Sequence, residues 1–250
     1  MGIIGGQIGY GILRFMVPRS EPCSDNICEE VSDTKIEQFF GDTFYQVIGG
    51  KTVIDFGCGS GNLSVKIAQK GAAKVIGIDI QERLLERAKQ YAKQLGVADR
   101  CVFTSSIGEL ADIIISKDAF EHFSDPAEIL QIMASLLKPG GCVLAAFGPT
   151  WFHPYGGHLF SVFPWSHLIF TEKSQIRWRS DFKTDGATKF SEVEGGLNQI
   201  TIAGFERIVA DSPFRFDWRE TVPIKGIALF KMKGLREIGS SIVRCKLSLK

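Results

Sequence analysis

The sequence predicts an α/β protein built on a mostly parallel sheet with helices on both faces. Three observations carry that prediction. Between residues 51 and 147, short apolar runs alternate with amphipathic helical patterns at the pace of repeated strand–helix–strand units. The runs are nearly unbroken Val, Ile and Ala, as strands covered on both faces require. One junction, Val53-Ile54-Asp55-Phe56-Gly57-Cys58-Gly59-Ser60-Gly61-Asn62, places three glycines on alternate positions between a strand and a helix. Glycine there lets the backbone turn tightly and approach a ligand where a Cβ would collide. The ligand then lies at the carboxyl end of the sheet.

The elements follow in order. Gly2–Val17 is apolar and glycine-rich, is interrupted by Arg14 and stops at Pro18. It is too short and broken for a membrane span and lacks a signal peptide's basic start. It reads as a flap over a ligand or as a segment packed on the core. Ile36, Phe39, Phe40, Phe44 and Val47 give residues 30–47 helical spacing, closed by Gly49-Gly50. Lys51–Phe56 is the first strand, and Leu63, Val65, Ile67 and Ala68 populate the next helix. Ala73–Ile80 is a second strand that brings Asp79 to its end. Gln81–Leu95 is an amphipathic helix stopped by Gly96. Arg100–Thr104 and Ala111–Ser116 are the third and fourth strands, and Pro126–Leu137 is a helix with proline in its first turn. Lys138–Gly141 reads as a turn and Cys142–Phe147 as the fifth strand. Beyond it, residues 148–190 are rich in aromatics, proline and histidine and read as an insertion. Phe190–Ile202 reads as helix, Phe205–Ala210 as strand and Ser240–Leu249 as the terminal strand with Arg244 and Lys246 exposed. The apolar stretch Val222–Leu235 interrupts that last pair.

A chain of 250 residues suits one domain spanning 1–250. Its expected parts are an N-terminal flap and helix (1–50), a ligand-binding half (51–147), a cap (148–190) and a C-terminal helix and strands (191–250). A formal net charge of +1 gives no general attraction to nucleic acid or acidic membranes. Of six cysteines, Cys58, Cys101, Cys142 and Cys245 read as small buried hydrophobes. Cys23 and Cys28 lack a second pair, so no metal site is expected. A reducing cytoplasm is the simplest compartment.

Spacing separates the ligand classes that use such a glycine turn. A dinucleotide turn reads G-x-G-x-x-G, whereas here the third glycine comes one residue early and Asn62 takes the place of the last. D-F-G-C-G-S-G instead resembles motif I of class I S-adenosylmethionine-dependent methyltransferases. Three further stretches extend the resemblance in order: V-I-G-I-D-I at 75–80, I-I-I-S-K-D-A-F-E-H-F-S-D-P at 113–126 and L-L-K-P-G-G at 136–141. Together they are similar to the group of ubiquinone-biosynthesis and small-molecule methyltransferases.

The resemblance implies a Rossmann-like, doubly wound, mostly parallel seven-stranded sheet with an antiparallel last strand and a substrate cap after the fifth strand. It implies S-adenosylmethionine as cofactor. Asp79 would accept hydrogen bonds from the ribose hydroxyls, and Ile80 would lie against adenine. Gly57, Cys58, Gly59 and Gly61 would admit the amino-acid portion, with Asp55 holding the turn or meeting the ammonium group. After the third strand the family usually shows an acid. Here Thr104-Ser105-Ser106-Ile107 has none, leaving Ser106 and Ile107 at the adenine end and Glu109 as an alternative. Asp118 could face cofactor or substrate. Glu121-His122 would start a helix and order the loop.

The acceptor is expected over Gly148–Phe160, whose aromatic and apolar residues suit a mostly apolar cavity. Removing a proton from an oxygen or nitrogen nucleophile suits a histidine, and His153, His158 and His167 concentrate there. His158 is the first choice of base and His153 the second, with Tyr155 positioning. The competing reading ties these histidines to backbone carbonyls. The expected reaction is methyl transfer to oxygen, less readily nitrogen or carbon, of a small apolar or aromatic metabolite. Alternatives are a nicotinamide-dependent oxidoreductase and a methyltransferase-like subunit without turnover. No N/D-P-P-Y/F element follows the fourth strand, which speaks against nucleic-acid substrates. Residues 2–17, 158–170 and 222–235 could form one apolar patch at a membrane surface.

Overall fold

The structure, a computed structural model, describes residues 2–16, 32–106, 108–193 and 195–250. Cys23, Cys28, Pro18, Ile107 and the start expected for the first long helix lie outside them. The described residues form a seven-stranded sheet in the order β3-β2-β1-β4-β5-β7-β6. Its strands are β1 (Thr52–Phe56), β2 (Lys74–Ile78), β3 (Cys101–Thr104), β4 (Ala111–Lys117), β5 (Leu137–Phe147), β6 (Phe214–Pro223) and β7 (Ser240–Leu249). The first five are mutually parallel, and β7 runs antiparallel to both β5 and β6. β6 therefore points the same way as β5 and ends at the same edge of the sheet.

Helices cover both faces. Ahead of the cap they are α1 (Gly6–Met16), α2 (Asp33–Phe40), α3 (Phe44–Ile48), α4 (Asn62–Gln69), α5 (Glu82–Gln94) and α6 (Pro126–Ser135). The rest are α7 (Ser166–Ile169), α8 (Glu172–Arg179), α9 (Ile202–Asp211) and α10 (Arg236–Gly239). One core joins α2 to α5 with Val53, Val75, Ile113 and Leu144. The other joins α6 and α9 with Ile54, Ile114, Val143 and Phe147. Asp125 starts α6 by accepting the N–H groups of Ala127 and Glu128 (2.9 and 3.0 Å) ahead of Pro126. A third cluster belongs to the cap, where Trp151, Phe160, Phe170, Trp178 and Phe190 pack together with Leu13 of α1. The N-terminal segment is tied to the cap by Thr171 N–H on the Ile4 carbonyl (2.9 Å).

Five sequence expectations require correction. The single helix over 30–47 is two, because Gly41 at φ 92° ends α2, its N–H on the Glu37 carbonyl. Phe190–Ile202 holds only a short 3₁₀ turn at Phe190–Glu192. Residues 205–210 are helix and not strand. Ile202, Phe205 and Val209 form a buried stripe at helical spacing, Thr201 caps Gly204 N–H (2.9 Å), and the Glu237 carboxylate accepts Ile202 and Ala203 N–H. Fully burying Phe205 stabilises the fold by about 2–3 kcal/mol. The strand that pairs with β7 lies later, at Phe214–Pro223. Arg244 and Lys246 are half-buried and paired with Glu220 (2.6 Å) and Asp217 (3.2 Å). The stretch Lys138–Gly141 bulges inside β5, between Leu137 paired with Ala111 and Cys142 paired with Ile113.

The β3–β4 connection carries no helix among its described residues. It leaves a groove of about 460 Å³ lined by Ile54, Ile76, Ile78 and Val102 on that face of the sheet.

Candidate active site

After β1 the chain turns through Gly57, Gly59 and Gly61 at φ 81°, 52° and 79°, values that side-chain-bearing residues rarely adopt. The N–H groups of Gly57 and Cys58 both donate to the Ile78 carbonyl (2.8 and 3.0 Å), anchoring the turn on the end of β2. The glycines are needed for different reasons. A Cβ on Gly57 would lie 2.9 Å from that of Ala119, and one on Gly61 2.6 Å from that of Ala88. One on Gly59 would meet nothing within 4 Å. The outer two are demanded by packing, and the middle one faces open space.

Asp79 links this turn to the next helix. Its Oδ2 accepts Gly59 N–H (2.8 Å) and its Oδ1 accepts Gln81 N–H (2.9 Å). A carboxylate offers about four lone-pair sites, so it keeps capacity for a ligand's hydroxyls. Asp55 lies beneath the turn, buried, and accepts the Ser64 hydroxyl (2.6 Å). Burial pushes its pKa up to about 6 although Ser64 pulls it down. Cys58 is buried in the adjacent core, which raises its thiol pKa. Ile80 is 90% exposed beside Asp79. Ser106 bonds back to Thr104, N–H to Oγ1 at 3.0 Å. Glu109 pairs with Lys74 at the start of β2, the edge opposite the glycine turn.

A second group gathers beyond β4. Asp118 takes φ 51°, donates its N–H to the Ala146 carbonyl (2.8 Å) and pairs with Lys117. Glu121 is 2% exposed. Its Oε1 accepts Gly148 N–H (3.2 Å), while its buried Oε2 has no partner among the described residues. Burial pushes its pKa up to about 8, so it holds a proton at neutral pH. His122 bonds the Gly196 carbonyl through Nδ1 (2.9 Å). Asn198 braces the loop by donating to the carbonyls of Phe120 and Phe123.

The cap histidines separate by their partners. His167 is buried, with Nε2 on the Trp151 carbonyl (2.7 Å) and Nδ1 on the Ser161 hydroxyl (3.0 Å), so both nitrogens are occupied. His153 is buried and accepts Tyr155 N–H at Nδ1 (3.0 Å). Tyr155 itself is exposed. His158 takes φ 52° and sets its ring 5.4 Å from that of His122. It bonds the Pro149 backbone, whose carbonyl is an acceptor, so Nδ1 carries the proton. Its buried Nε2 has no partner among the described residues. Burial, with His122 alongside, lowers its pKa to about 4.

Comparison with known proteins reads this geometry. Residues 49–148 match a family model described as a methyltransferase domain. The stretch contains the glycine turn, Asp79 and Glu121-His122. The chain carries a class I S-adenosylmethionine-dependent methyltransferase domain. A ubiquinone biosynthesis O-methyltransferase of Neisseria meningitidis serogroup C is 40% identical over 101 residues, 38% of this chain and 42% of that protein. The chain thus spans about two-fifths of the length of the first curated relatives it matches. A ubiquinone biosynthesis O-methyltransferase of Coxiella burnetii is 29% identical over 187 residues, 72% of this chain and 77% of that protein. In fold, the domain resembles a crystal structure described as a putative S-adenosylmethionine-dependent methyltransferase from Listeria monocytogenes. The TM-score is 0.54 at 15% identity, over 83% of this chain and 96% of that one.

Within the methyltransferase domain the structure gathers Asp55 and Asp79 around the turn of Gly57, Cys58, Gly59 and Gly61, with Ile80 and Ser106 at neighbouring strand ends. Asp118 and His158 share a second cluster, from which the bonds of His153 point elsewhere. Sequence reasoning gave Glu121 an ordering role and no titration of its own. The apolar residues before it were the only signal that it would be buried.

Proposed function

We propose that the protein transfers a methyl group from S-adenosylmethionine to an oxygen of a small, largely apolar metabolite, nitrogen and carbon being second choices. The open space over Gly59 and the spare lone pairs of Asp79 fit the cofactor's amino-acid and ribose portions. When bound, it supplies an electrophilic methyl group on a sulfonium. Asp79 holds hydroxyls, and Asp55 with Ser64 keeps the turn rigid. The relatives' description as O-methyltransferases supports oxygen as the acceptor atom.

The observation that carries the catalytic part is the unpartnered Nε2 of His158. Its proton is parked on Nδ1 by Pro149, and its low pKa keeps the ring neutral at physiological pH, so Nε2 offers a lone pair to an acceptor hydroxyl. His153 remains the second candidate base. No helix of the described residues is long and apolar enough to cross a membrane, and a cytoplasmic enzyme is the simplest setting.

The test is single-turnover methylation, with tritium-labelled methyl donor, of a panel of small phenols and carboxylic acids by wild type and His158→Ala. Loss of turnover with unchanged cofactor affinity supports the reading. Turnover equal to wild type removes His158 as base, and a wild type that binds cofactor but methylates no acceptor favours a non-catalytic subunit.

A further inference from the structure

From Thr221 to Arg236 the sequence carries Lys225, Lys231, Lys233 and Arg236 and no acidic residue. Arg236 is neutralised by Glu206 (2.6 Å). Among the described residues the three lysines have no ionic partner, and all are exposed. Between them Ile227, Leu229 and Met232 are 45%, 55% and 59% exposed. The segment is built of two 3₁₀ turns, Ile224–Gly226 and Ala228–Lys231, followed by α10. It is anchored at its base, where Pro223 pairs with Ser240. Phe230 turns inward onto Gly239, where a Cβ would lie 2.0 Å from the ring. That anchor leaves Leu229 and Lys231 on either side of it facing outward.

The position is as telling as the composition. Because β6 runs parallel to β5, the projection leaves the sheet at the edge that carries the glycine turn. At the same edge Gly148 follows β5 and packs against Ser241. We propose that residues 224–233 dock the protein on an anionic lipid bilayer, turning the active-site edge toward the membrane.

Interleaved ammonium and aliphatic side chains match the two layers of such a surface. Lysines are drawn to anionic headgroups, their stems lie along apolar surface, and Ile227, Leu229 and Met232 enter the headgroup–acyl boundary. Nucleic acid is a poorer fit, since single strands are gripped by exposed aromatic rings and the outward side chains here are aliphatic. The whole chain's charge of +1 gives no general attraction, so binding must depend on this segment. The proposal stands apart from the catalytic reading, because vesicle binding requires no turnover.

The experiment is co-sedimentation of the full chain with vesicles of equal parts phosphatidylcholine and phosphatidylglycerol, and with phosphatidylcholine alone, at low and high salt. Wild type and His158→Ala should pellet with anionic vesicles at low salt and stay in the supernatant with neutral ones. A K225Q/K231Q/K233Q variant should lose roughly a hundredfold in partitioning, and L229S/M232S should also weaken binding, both with unchanged thermal melting. Wild type left in the supernatant with anionic vesicles overturns the proposal. So does equal binding to neutral vesicles, full binding by the lysine variant, or preferential binding of a short oligonucleotide.

Discussion

The rings of His122 and His158 stand 5.4 Å apart at an interplanar angle of 60°, joining the loop after β4 to the cap that follows β5. Each is held through one nitrogen on a backbone carbonyl, Gly196 for His122 and Pro149 for His158. Nε2 of His158 is buried without a partner among the described residues, and burial, with His122 alongside, lowers its affinity for a proton.

His158→Ala is expected to lower the methylation rate about 10²–10⁴-fold, the range for losing a positioned base, with cofactor affinity unchanged and a rate loss far larger than its loss of stability explains. His167→Ala should act on stability first. It leaves the buried Trp151 carbonyl and Ser161 hydroxyl unpaired, costing about 1–3 kcal/mol of stability. Paired thermal melts and rate measurements on the two variants distinguish a catalytic from a structural histidine.

The glycine turn predicts a contrast between neighbours. Gly61→Ala presses a Cβ to 2.6 Å from Ala88 and should cost about 1–3 kcal/mol for the clash, on top of about 1–2 kcal/mol for its positive φ. Gly59→Ala meets open space and should cost about 1–2 kcal/mol from its positive φ. Gly59→Val has a larger φ cost, since a β-branched residue is an outlier at positive φ, and also fills the cradle, so it should lose cofactor binding by more than its stability loss explains. Thermal melts with and without S-adenosylhomocysteine read both effects.

Glu121 predicts a pH dependence of stability. At pH 4 both folded and unfolded chains hold its proton. As pH rises from about 4.5 toward about 8 the unfolded chain releases the proton while the native chain keeps it. Native stability therefore falls across that window, and the loss is complete above pH 8. Glu121→Gln removes the titration and keeps an acceptor for Gly148 N–H. The variant's Tm should exceed wild type by a margin that grows from pH 5 to pH 8. A margin constant with pH would show that Glu121 does not carry the shifted proton.

Much of the ligand-binding half was legible because its signals are local. Strands buried on both faces read as apolar runs, and the turn's positive φ values demand Gly57, Gly59 and Gly61. The C-terminal part was less so. Phe205–Ala210 is short and apolar enough for either element, and the wider stripe of Ile202, Phe205 and Val209, the cap from Thr201 and the distant Glu237 carboxylate decide for helix. β6 was hidden because its charged residues pair across strands and with α9, Asp217 with Lys246 and Arg219 with Glu206. Within the cap the three histidines look alike in sequence. Their partners, Trp151 and Ser161 for His167 and Tyr155 for His153, are tertiary or turn contacts that no spacing reveals.

The central claim is that the turn at Gly57–Gly61 with Asp79 holds S-adenosylmethionine. Calorimetric titration of the wild type and Asp79→Asn with S-adenosylhomocysteine tests it most directly. The expected result is one saturable site in the wild type, weakened about 10–100-fold by Asp79→Asn, as loss of charge-assisted hydrogen bonds implies. Absence of a saturable site in the wild type, or undiminished affinity in Asp79→Asn, would contradict it.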